Sequence, residues 1–309
     1  MQLLPLIKGL ATWLPLAYDA RRGRTGGTSS GRYCYSVWLR HLVALRDAGI
    51  ERPFHSVAEL GPGDSLGIGL AALLSGANRL EALDVVPYAS LAGNLTLLDE
   101  IAALLARGAP IPGDEEFPGV VPRLTDYAFP QDLMAGSADG PGLAARLDRI
   151  RAALEGRPSA ISVAYQVPWD GVSGPGTEPV DLLYSQAVME HVEQPALAYA
   201  AMARWVVPGG AMSHVIDLRS HRLTSGWDGH LQYPAGAWRL VKGTRPYLLN
   251  RASASEHRAW LDASGFRVLR ETRVHRAPTV ARKDLAMPFR RWSDEDLATA
   301  SVHFIAVRA

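Results

Sequence analysis

The sequence predicts a doubly wound α/β fold, in which seven mostly parallel strands form a sheet with helices on both faces. Short apolar runs alternate with segments of helical periodicity along most of the chain, and a glycine turn joins the first run to the next helix. The composition, 48% apolar and 20% charged over 309 residues, is typical of a chain with a large core. Because we find no internal repeat and no convincing linker, we expect residues 55–309 to form one domain.

Each element is predicted from its own pattern. The seven strand-like runs, in order, are HSVAEL, LEALDVV, SAISVAY, PVDLLYSQ, AMSHVIDL, FRVLRETRV and SVHFIAVRA. Helices are expected at about 64–75, 88–107, 195–205 and 255–263, with a short one opened by the capping box SDED before the last strand. Residues 1–54 predict a helical cap interrupted by RRGRTGGTSSGR, and insertions are expected at about 108–158 and 222–252. The first insertion begins as a loop rich in Pro, Gly and Asp and ends as an amphipathic helix.

Bulk properties exclude several classes of protein. The net charge of +1 predicts no attraction to nucleic acid or to an anionic membrane, and no apolar run is long enough to span a bilayer. The apolar N-terminus contains Lys8 and two prolines, and its arginines follow rather than precede it, which disfavours a signal peptide. Cys34 is the only cysteine, so we expect a cytoplasmic protein without disulfides. A homodimer is possible.

The turn ELGPGD predicts a binding site for a nucleotide-like ligand at the carboxyl ends of the strands. Gly61 and Gly63 would let the backbone turn sharply, and Asp64 is the expected N-cap of the next helix. A dinucleotide is disfavoured because Leu66 stands where the third glycine of Gly-x-Gly-x-x-Gly should be. Glu59 would repel a pyrophosphate but suit a cationic amine. No lysine stands in a Gly-Lys-Ser/Thr setting, which excludes a P-loop.

With these residues identified, VAELGPGDS resembles motif I of the class I S-adenosylmethionine-dependent methyltransferases, with Ser65 where many members have a third glycine. Asp84 matches the acid that this family uses on the ribose hydroxyls. VDLLYSQAVMEHV and WVVPGGAM resemble the fourth-strand motif and the turn before the fifth strand. The resemblance implies a Rossmann-like fold and S-adenosylmethionine as cofactor. The residues expected to bind it are Glu59, Gly61, Pro62, Gly63, Asp84, Val85, Ser185 and Gln186.

One family feature is missing, because the acid often found on the adenine amine is replaced by Val163 or Ala164. Adenine would then be held by backbone groups or near Trp169 and Asp170. The whole chain also resembles a group of bacterial methyltransferases associated with polysaccharide and secondary-product pathways. The expected acceptor is therefore a small molecule, most plausibly a sugar or metabolite hydroxyl. N- or C-methylation, a non-catalytic binding protein and an NAD-dependent oxidoreductase are the alternatives.

Hydroxyl methylation benefits from a general base, and Asp217, His221 and His230 are the candidates near the fifth strand. We expect no metal site, because His214 and Asp217 point to opposite faces of a strand and cannot easily share an ion with His221. His214 and His191 are interpreted as structural. An aromatic lid over the acceptor and a contact from the N-terminal segment to the methionine carboxylate are also predicted, as is a buried, unreactive Cys34. The lid residues are Trp227, Asp228, His230, Tyr233 and Trp238, and the N-terminal contacts are Arg32 or Tyr33.

Overall fold

The computed structural model describes residues 2–13, 27–50, 53–134, 140–174, 178–245 and 247–309, and for residues 140 and 141 the backbone only. The predicted fold class is confirmed, since seven strands form one sheet in the order β3-β2-β1-β4-β5-β7-β6. The strands are β1 Ser56–Leu60, β2 Arg79–Leu83, β3 Ser162–Gln166, β4 Val180–Gln186, β5 Val206–Asp217, β6 Phe266–His275 and β7 Thr299–Arg308. The first five are parallel, and β7 runs antiparallel between β5 and β6.

Helices cover both faces of the sheet. In chain order they are α1 Leu4–Leu10, α2 Gly31–Asp47, α3 Gly67–Leu74, α4 Leu91–Ala106, α5 Gly140–Leu154, α6 Pro195–Trp205, α7 Ala235–Lys242, α8 Ala254–Ala263 and α9 Asp294–Ala298. Residues of α2 to α5 form one apolar core, and residues of α6 and α8 form a second. Val57 belongs to the first core and Ala58 to the second, because successive strand side chains point to opposite faces. Within the described ranges, none of the helices combines the length and apolar character needed to cross a bilayer.

Several boundaries differ from the sequence prediction, among them the following three. Helix α3 begins at Gly67 rather than near Asp64, and the Ser65 hydroxyl accepts from the Gly67 amide in the place expected for an Asp64 cap. Strand β2 stops at Leu83, because the Asp84 carboxylate accepts from the Val85 amide and bends the chain. Strand β5 starts at Val206, with the Pro-Gly-Gly turn forming an irregularity inside the strand. Helix α7, inside the second insertion, was not predicted.

The first insertion is fastened to α2 by a buried arginine. Arg40 has no exposed surface, and its guanidinium donates to the carbonyls of Pro112, Val120 and Pro122 and to Asp114. Carbonyls of a loop need such donors when they are removed from water. Arg40 thus fixes the course of residues 112–122 beside the carboxyl edge of β4.

Candidate active site

One cavity lies at the carboxyl ends of the strands, where an open α/β sheet binds its ligands. It has a volume of about 390 Å³ and is walled by the ends of β1 and β2, the loop after β3 and the turn after β4. Chain order reverses between β1 and β4, which places the cavity at the switch point. The volume is within the range of small-ligand sites.

The glycine turn forms one wall of this cavity. Gly61 and Gly63 have φ values of +64° and +73°, which side chains rarely adopt. A Cβ at residue 61 would lie 2.6 Å from Cγ2 of Val188, which lines the same cavity. The Pro62 carbonyl accepts from the Thr28 hydroxyl at 2.8 Å. The two glycines are therefore required by the shape of the turn, and Gly61 also by the space left for it.

Asp84 stands at the end of β2 on the cavity wall. Its Oδ2 accepts from the Gly63 amide at 3.0 Å and its Oδ1 from the Val85 amide at 2.7 Å. Burial raises the pKa of Asp84, and the hydrogen bonds from the backbone amides oppose it. Oδ1 also accepts from the Val86 amide at 3.4 Å, so Oδ2 is the oxygen that keeps an acceptor position for a ligand hydroxyl.

Glu59 does not face the cavity as the sequence argument required. Its side chain is on the face of α2 and α3, where Oε2 accepts from Tyr184 Oη at 3.0 Å and from the Gly69 amide at 3.1 Å. The residue is 2% exposed, and burial raises its pKa to about 8 against those two hydrogen bonds. A carboxyl that is largely protonated at neutral pH neither repels a phosphate nor attracts an amine. The structure thus contradicts a direct charge contact and shows Glu59 tying β1 to α3 and β4.

The loop after β3 closes the far side of the cavity with Trp169 and Asp170. The Trp169 amide donates to the Asp84 carbonyl at 2.6 Å, and its indole donates to the Ser173 carbonyl. Asp170 accepts from the Ser173 hydroxyl and from the amides of Ser173 and Val172, and these bonds lower its pKa to about 2. Both residues that the sequence offered for adenine therefore line the same cavity as Asp84.

The N-terminal segment covers the glycine turn through a residue that the sequence did not single out. Thr28 is buried, and its hydroxyl accepts from the Ser65 amide and donates to Pro62. Arg32 is turned away and pairs with Glu116 at 2.6 Å, whereas Tyr33 lines a separate cavity of about 200 Å³. Thr28 thus joins the N-terminal segment to the glycine turn, and Arg32 does not line the 390 Å³ cavity.

Cys34 has no exposed surface, and its pKa is raised by burial, as expected for an inert thiol.

Ser185 and Gln186, both predicted to bind cofactor, point to opposite faces of β4. Ser185 is fully buried against His214, with 2.7 Å between the hydroxyl and Nδ1, and it is not on the cavity wall. Gln186 lines the 200 Å³ cavity and hydrogen-bonds to His41. A direct cofactor contact from Ser185 is therefore contradicted by strand alternation. His214 has no exposed surface, and its structural role stays a prediction.

Asp217 and His221 come together at the end of β5, as the sequence suggested. His221 Nε2 is 3.2 Å from Asp217 Oδ2, and both residues line a cleft of about 470 Å³. Arg219 donates to both oxygens of Asp217 at 2.7 Å. Burial favours a raised pKa for Asp217, but the bonds from His221 and Arg219 outweigh it and hold the pKa well below its usual range. Asp217 is therefore a poor base and a good anchor for His221.

His230, the third predicted base, is directed elsewhere. It is 3% exposed and lines a cavity of only about 20 Å³. Burial, followed by the charge of Arg251, lowers its pKa to about 3. His230 is thus buried apart from the 390 Å³ cavity and from the cleft beside His221, and its lowered pKa disfavours a role as a base.

Most of the predicted lid is packing. Asp228 accepts from the amides of Thr279 and Val280, and Tyr233 donates to the Gln2 carbonyl. The guanidinium of Arg251 lies 4.4 Å from the ring centroid of Trp238. Trp227 alone among the five lines the 470 Å³ cleft. These hydrogen bonds and ring contacts hold the second insertion in place, and Trp227 is the one of the five residues that lines the 470 Å³ cleft.

The turn after β4 brings two further residues to the site, Glu190 and His191. His191 lines the 390 Å³ cavity, and its ring centroid is 4.9 Å from that of His221. Glu190 is 2% exposed, and burial beside Asp217 raises its pKa well above the usual range. The string MEHV was the available signal, but it was interpreted as packing. This pair of histidines therefore lies between the 390 Å³ cavity and the 470 Å³ cleft.

Comparison with known proteins finds no family model and no curated protein that matches the sequence. The solved structures that resemble it include an S-adenosylmethionine-dependent methyltransferase from Mesorhizobium loti, with 14% identity, 87% of this chain and 98% of that chain covered, and a TM-score of 0.43. The N-methyltransferase NodS from Bradyrhizobium japonicum, in complex with S-adenosyl-L-homocysteine, has 12% identity, coverage of 99% and 97%, and a TM-score of 0.40. A methyltransferase from Methanosarcina mazei has 11% identity, coverage of 83% and 93%, and a TM-score of 0.43. At these values, function has to be argued from the residues of this chain.

Proposed function

We propose that this protein is an S-adenosylmethionine-dependent methyltransferase that acts on a hydroxyl of a small molecule, such as a sugar or a secondary metabolite. One observation carries the proposal. Gly61, Asp84 and Trp169 come from three distant segments and line one cavity of about 390 Å³ at the switch point of the sheet. A role in a bacterial biosynthetic pathway is part of this proposal. So is a cytoplasmic location, which the single cysteine favours.

The cavity residues fit the adenosine half of the cofactor. The free acceptor position on Oδ2 of Asp84 suits a ribose hydroxyl, and Leu83, Val85 and Leu197 give the cavity apolar walls for a purine. Gly61 lets the backbone come close to the ligand, while Glu59 acts as a positioning residue beneath the turn. When bound, S-adenosylmethionine supplies a methyl group that its sulfonium already activates and leaves as S-adenosylhomocysteine.

The acceptor is assigned to the 470 Å³ cleft, next to His221. Because the ionised Asp217 can only accept, His221 presents Nε2–H to it and keeps the lone pair on Nδ1. That lone pair can take the hydroxyl proton as the oxygen is methylated. Asp217 and Arg219 hold the ring in this orientation, which is the usual task of the third group beside a catalytic base.

Titration calorimetry tests the ligand. We expect S-adenosylmethionine and S-adenosylhomocysteine to bind and NAD not to bind. Asp84→Asn should weaken binding of both sulfur ligands by on the order of 1–3 kcal/mol. A carboxamide has one accepting oxygen, so it cannot accept both from a ribose hydroxyl and from the backbone amides of Gly63 and Val85 as the carboxylate does. Asp126→Asn, on the exposed part of the first insertion, is the matched control. The proposal would be refuted if neither S-adenosylmethionine nor S-adenosylhomocysteine bound at millimolar concentration.

Once binding is established, a screen of hydroxyl and amine acceptors with radiolabelled methyl donor identifies the substrate class. Transfer to amines but to no hydroxyl would replace O-methylation by N-methylation. Binding without transfer to any acceptor would favour a non-catalytic protein.

A further inference from the structure

Two turns at the carboxyl edge place a carboxylate and two imidazoles around one point. Glu190 and His191 follow β4, and His221 follows the neighbouring strand β5. One ligand atom from each of the three lies within 4.8 Å of the others. Among the residues that the structure describes, no other set of three or more His, Cys, Asp or Glu side chains meets that condition. The cluster is thus a specific product of the fold.

The carboxyl group of Glu190 belongs to this cluster and has no hydrogen-bond partner. The residue is 2% exposed, and neither carboxylate oxygen has a hydrogen-bond donor. A buried carboxylate is costly unless a cation or donor compensates it, and Asp217 nearby adds a second negative charge. Arg219 is occupied by Asp217. Both oxygens of this buried carboxyl group are therefore unsatisfied, which a bound cation would relieve.

His191 is oriented as a ligand. Its Nδ1 lies 2.8 Å from the Tyr247 carbonyl, which can only accept, so Nδ1 carries the proton. The lone pair is consequently on Nε2. A backbone carbonyl that fixes the tautomer in this way is the common outer partner of metal-bound histidine.

His221 completes the set from the other turn. Its Nε2 is 3.7 Å from Glu190 Oε1, close to the separation of about 3.4 Å that two ligand atoms have across a tetrahedral angle with bonds of about 2.1 Å. The residue has a φ of +48°, and Arg222 follows with +62°. Such strained conformations in residues other than glycine cluster at binding and catalytic sites.

We propose that Glu190, His191 and His221 bind a divalent transition-metal ion, such as Zn²⁺. Two imidazoles and one carboxylate favour Zn²⁺, Co²⁺ or Fe²⁺ over Mg²⁺ and Ca²⁺, which prefer oxygen ligands alone. The site lies between the 390 Å³ cavity, lined by His191, and the 470 Å³ cleft, lined by His221.

This position suggests a role for the ion in methyl transfer, and that role rests on the proposed function. A cation there would polarise an acceptor oxygen in the cleft. With the ion bound, Nε2 of His221 would be its ligand and would release to solvent the proton now shared with Asp217. The hydroxyl proton of an acceptor made more acidic by the ion would then also pass to solvent, and not to Nδ1 of His221. The binding site itself does not depend on methyl transfer.

Metal binding is tested on the metal-free full chain without cofactor or acceptor. Calorimetry with Zn²⁺ should give one equivalent, with proton release seen as a buffer-dependent enthalpy, and Co²⁺ should give visible absorption bands. Glu190→Gln and His221→Asn should each weaken binding by about 10–100-fold or more. Asn is chosen at 221 because it tolerates a left-handed backbone. The matched controls are Glu115→Gln and His275→Asn, both at exposed positions.

The controls should bind Zn²⁺ like the parent protein. Circular dichroism and thermal melts establish that each variant folds, and His191→Asn replaces any that does not. Absence of Zn²⁺ binding by the parent at about 100 µM, far above functional affinities for structural zinc, would overturn the site. The site would also be overturned if folded Glu190→Gln and His221→Asn bound Zn²⁺ with the same affinity as the parent protein. S-adenosylmethionine binding, measured in parallel, separates failure of the metal site from failure of the proposed function.

Discussion

The imidazole rings of His191 and His221 meet edge to face, with centroids 4.9 Å apart and an interplanar angle of 67°. His191 lines the 390 Å³ cavity, which we propose for the cofactor, and His221 lines the 470 Å³ cleft, which we propose for the acceptor. The two rings come from the turns after β4 and β5. Any chemistry between two molecules bound in these spaces must therefore take place beside this pair.

Replacing His221 should separate chemistry from cofactor binding. In His221→Asn the side chain can no longer take or position the acceptor proton, so kcat should fall by about 10²–10⁴-fold. The Kd for S-adenosylmethionine should stay within about threefold, because Asp84 and the glycine turn are untouched. Steady-state rates with radiolabelled methyl donor, combined with calorimetry, measure both quantities. An unchanged kcat would remove His221 from the mechanism.

Gly61 should be the least replaceable residue of the turn. Gly61→Ala combines a φ of +64° with a contact of 2.6 Å to Val188, whereas Gly49→Ala has a φ of +85° and open space around its Cβ. Each alanine incurs the backbone cost of about 1 kcal/mol, and Gly61→Ala should lose about 1–2 kcal/mol more from the clash. Urea unfolding compares the two. In a Val188→Ala background this excess should largely disappear, and an excess that persists would show that Val188 is not its cause.

Arg40 should be worth far more to stability than Arg32 on the same helix. Arg40→Met leaves several buried carbonyls without donors, which we expect to lower the free energy of unfolding by about 3 kcal/mol or more. Arg32→Met removes an ion pair with Glu116 whose side chains are 47% and 40% exposed, a type of pair that contributes at most about 1 kcal/mol. Thermal and urea melts test the difference. Equal losses would mean that the insertion does not depend on Arg40.

The buried histidines should make the protein sensitive to acid. His41 Nδ1 is 2.7 Å from the Ser213 hydroxyl, which is 2.8 Å from His303 Nε2, and all three residues are buried. Burial lowers the pKa of His41 to about 4, below its ordinary 6.5 in the unfolded chain. The unfolded state therefore binds the proton more readily. Stability is then present above pH 6.5 and is lost as pH falls toward 4, by as much as about 3 kcal/mol from this residue.

Urea unfolding at pH 7, 6 and 5 measures this loss, and His41→Gln should make the slope with pH smaller. His275→Gln, at an exposed position, should leave the slope unchanged. Glu59 acts in the opposite sense, because a folded pKa of about 8 favours folding at low pH and loses that advantage as pH rises toward 8. Comparison of each variant with the parent cancels this contribution. A slope unaffected by His41→Gln would assign the acid sensitivity to other groups.

Much of the site could be predicted because local sequence determines it. The two glycines of ELGPGD, and Asp84 at the end of the next strand, follow from the order of strand, turn and helix. Asp217 and His221 could be placed near the end of β5, but their contact depends on the turn after Asp217, where His221 has a φ of +48°. What failed were the directions of Glu59 and Ser185. A strand pattern places a residue at the carboxyl edge but does not state which partners fill the space beside its side chain.

The sequence by itself therefore determined the fold class, the glycine turn and the acid beside it, since these depend on periodicity and on backbone conformations that few residues permit. Only the tertiary structure decided that Thr28 covers the turn and that Arg40 secures an insertion some 70 to 80 positions away. It likewise brought Glu190 and His191 against His221. The physical reason is that parallel strands place residues distant in the chain side by side, and burial then determines which of them are charged, bonded or left to bind a ligand.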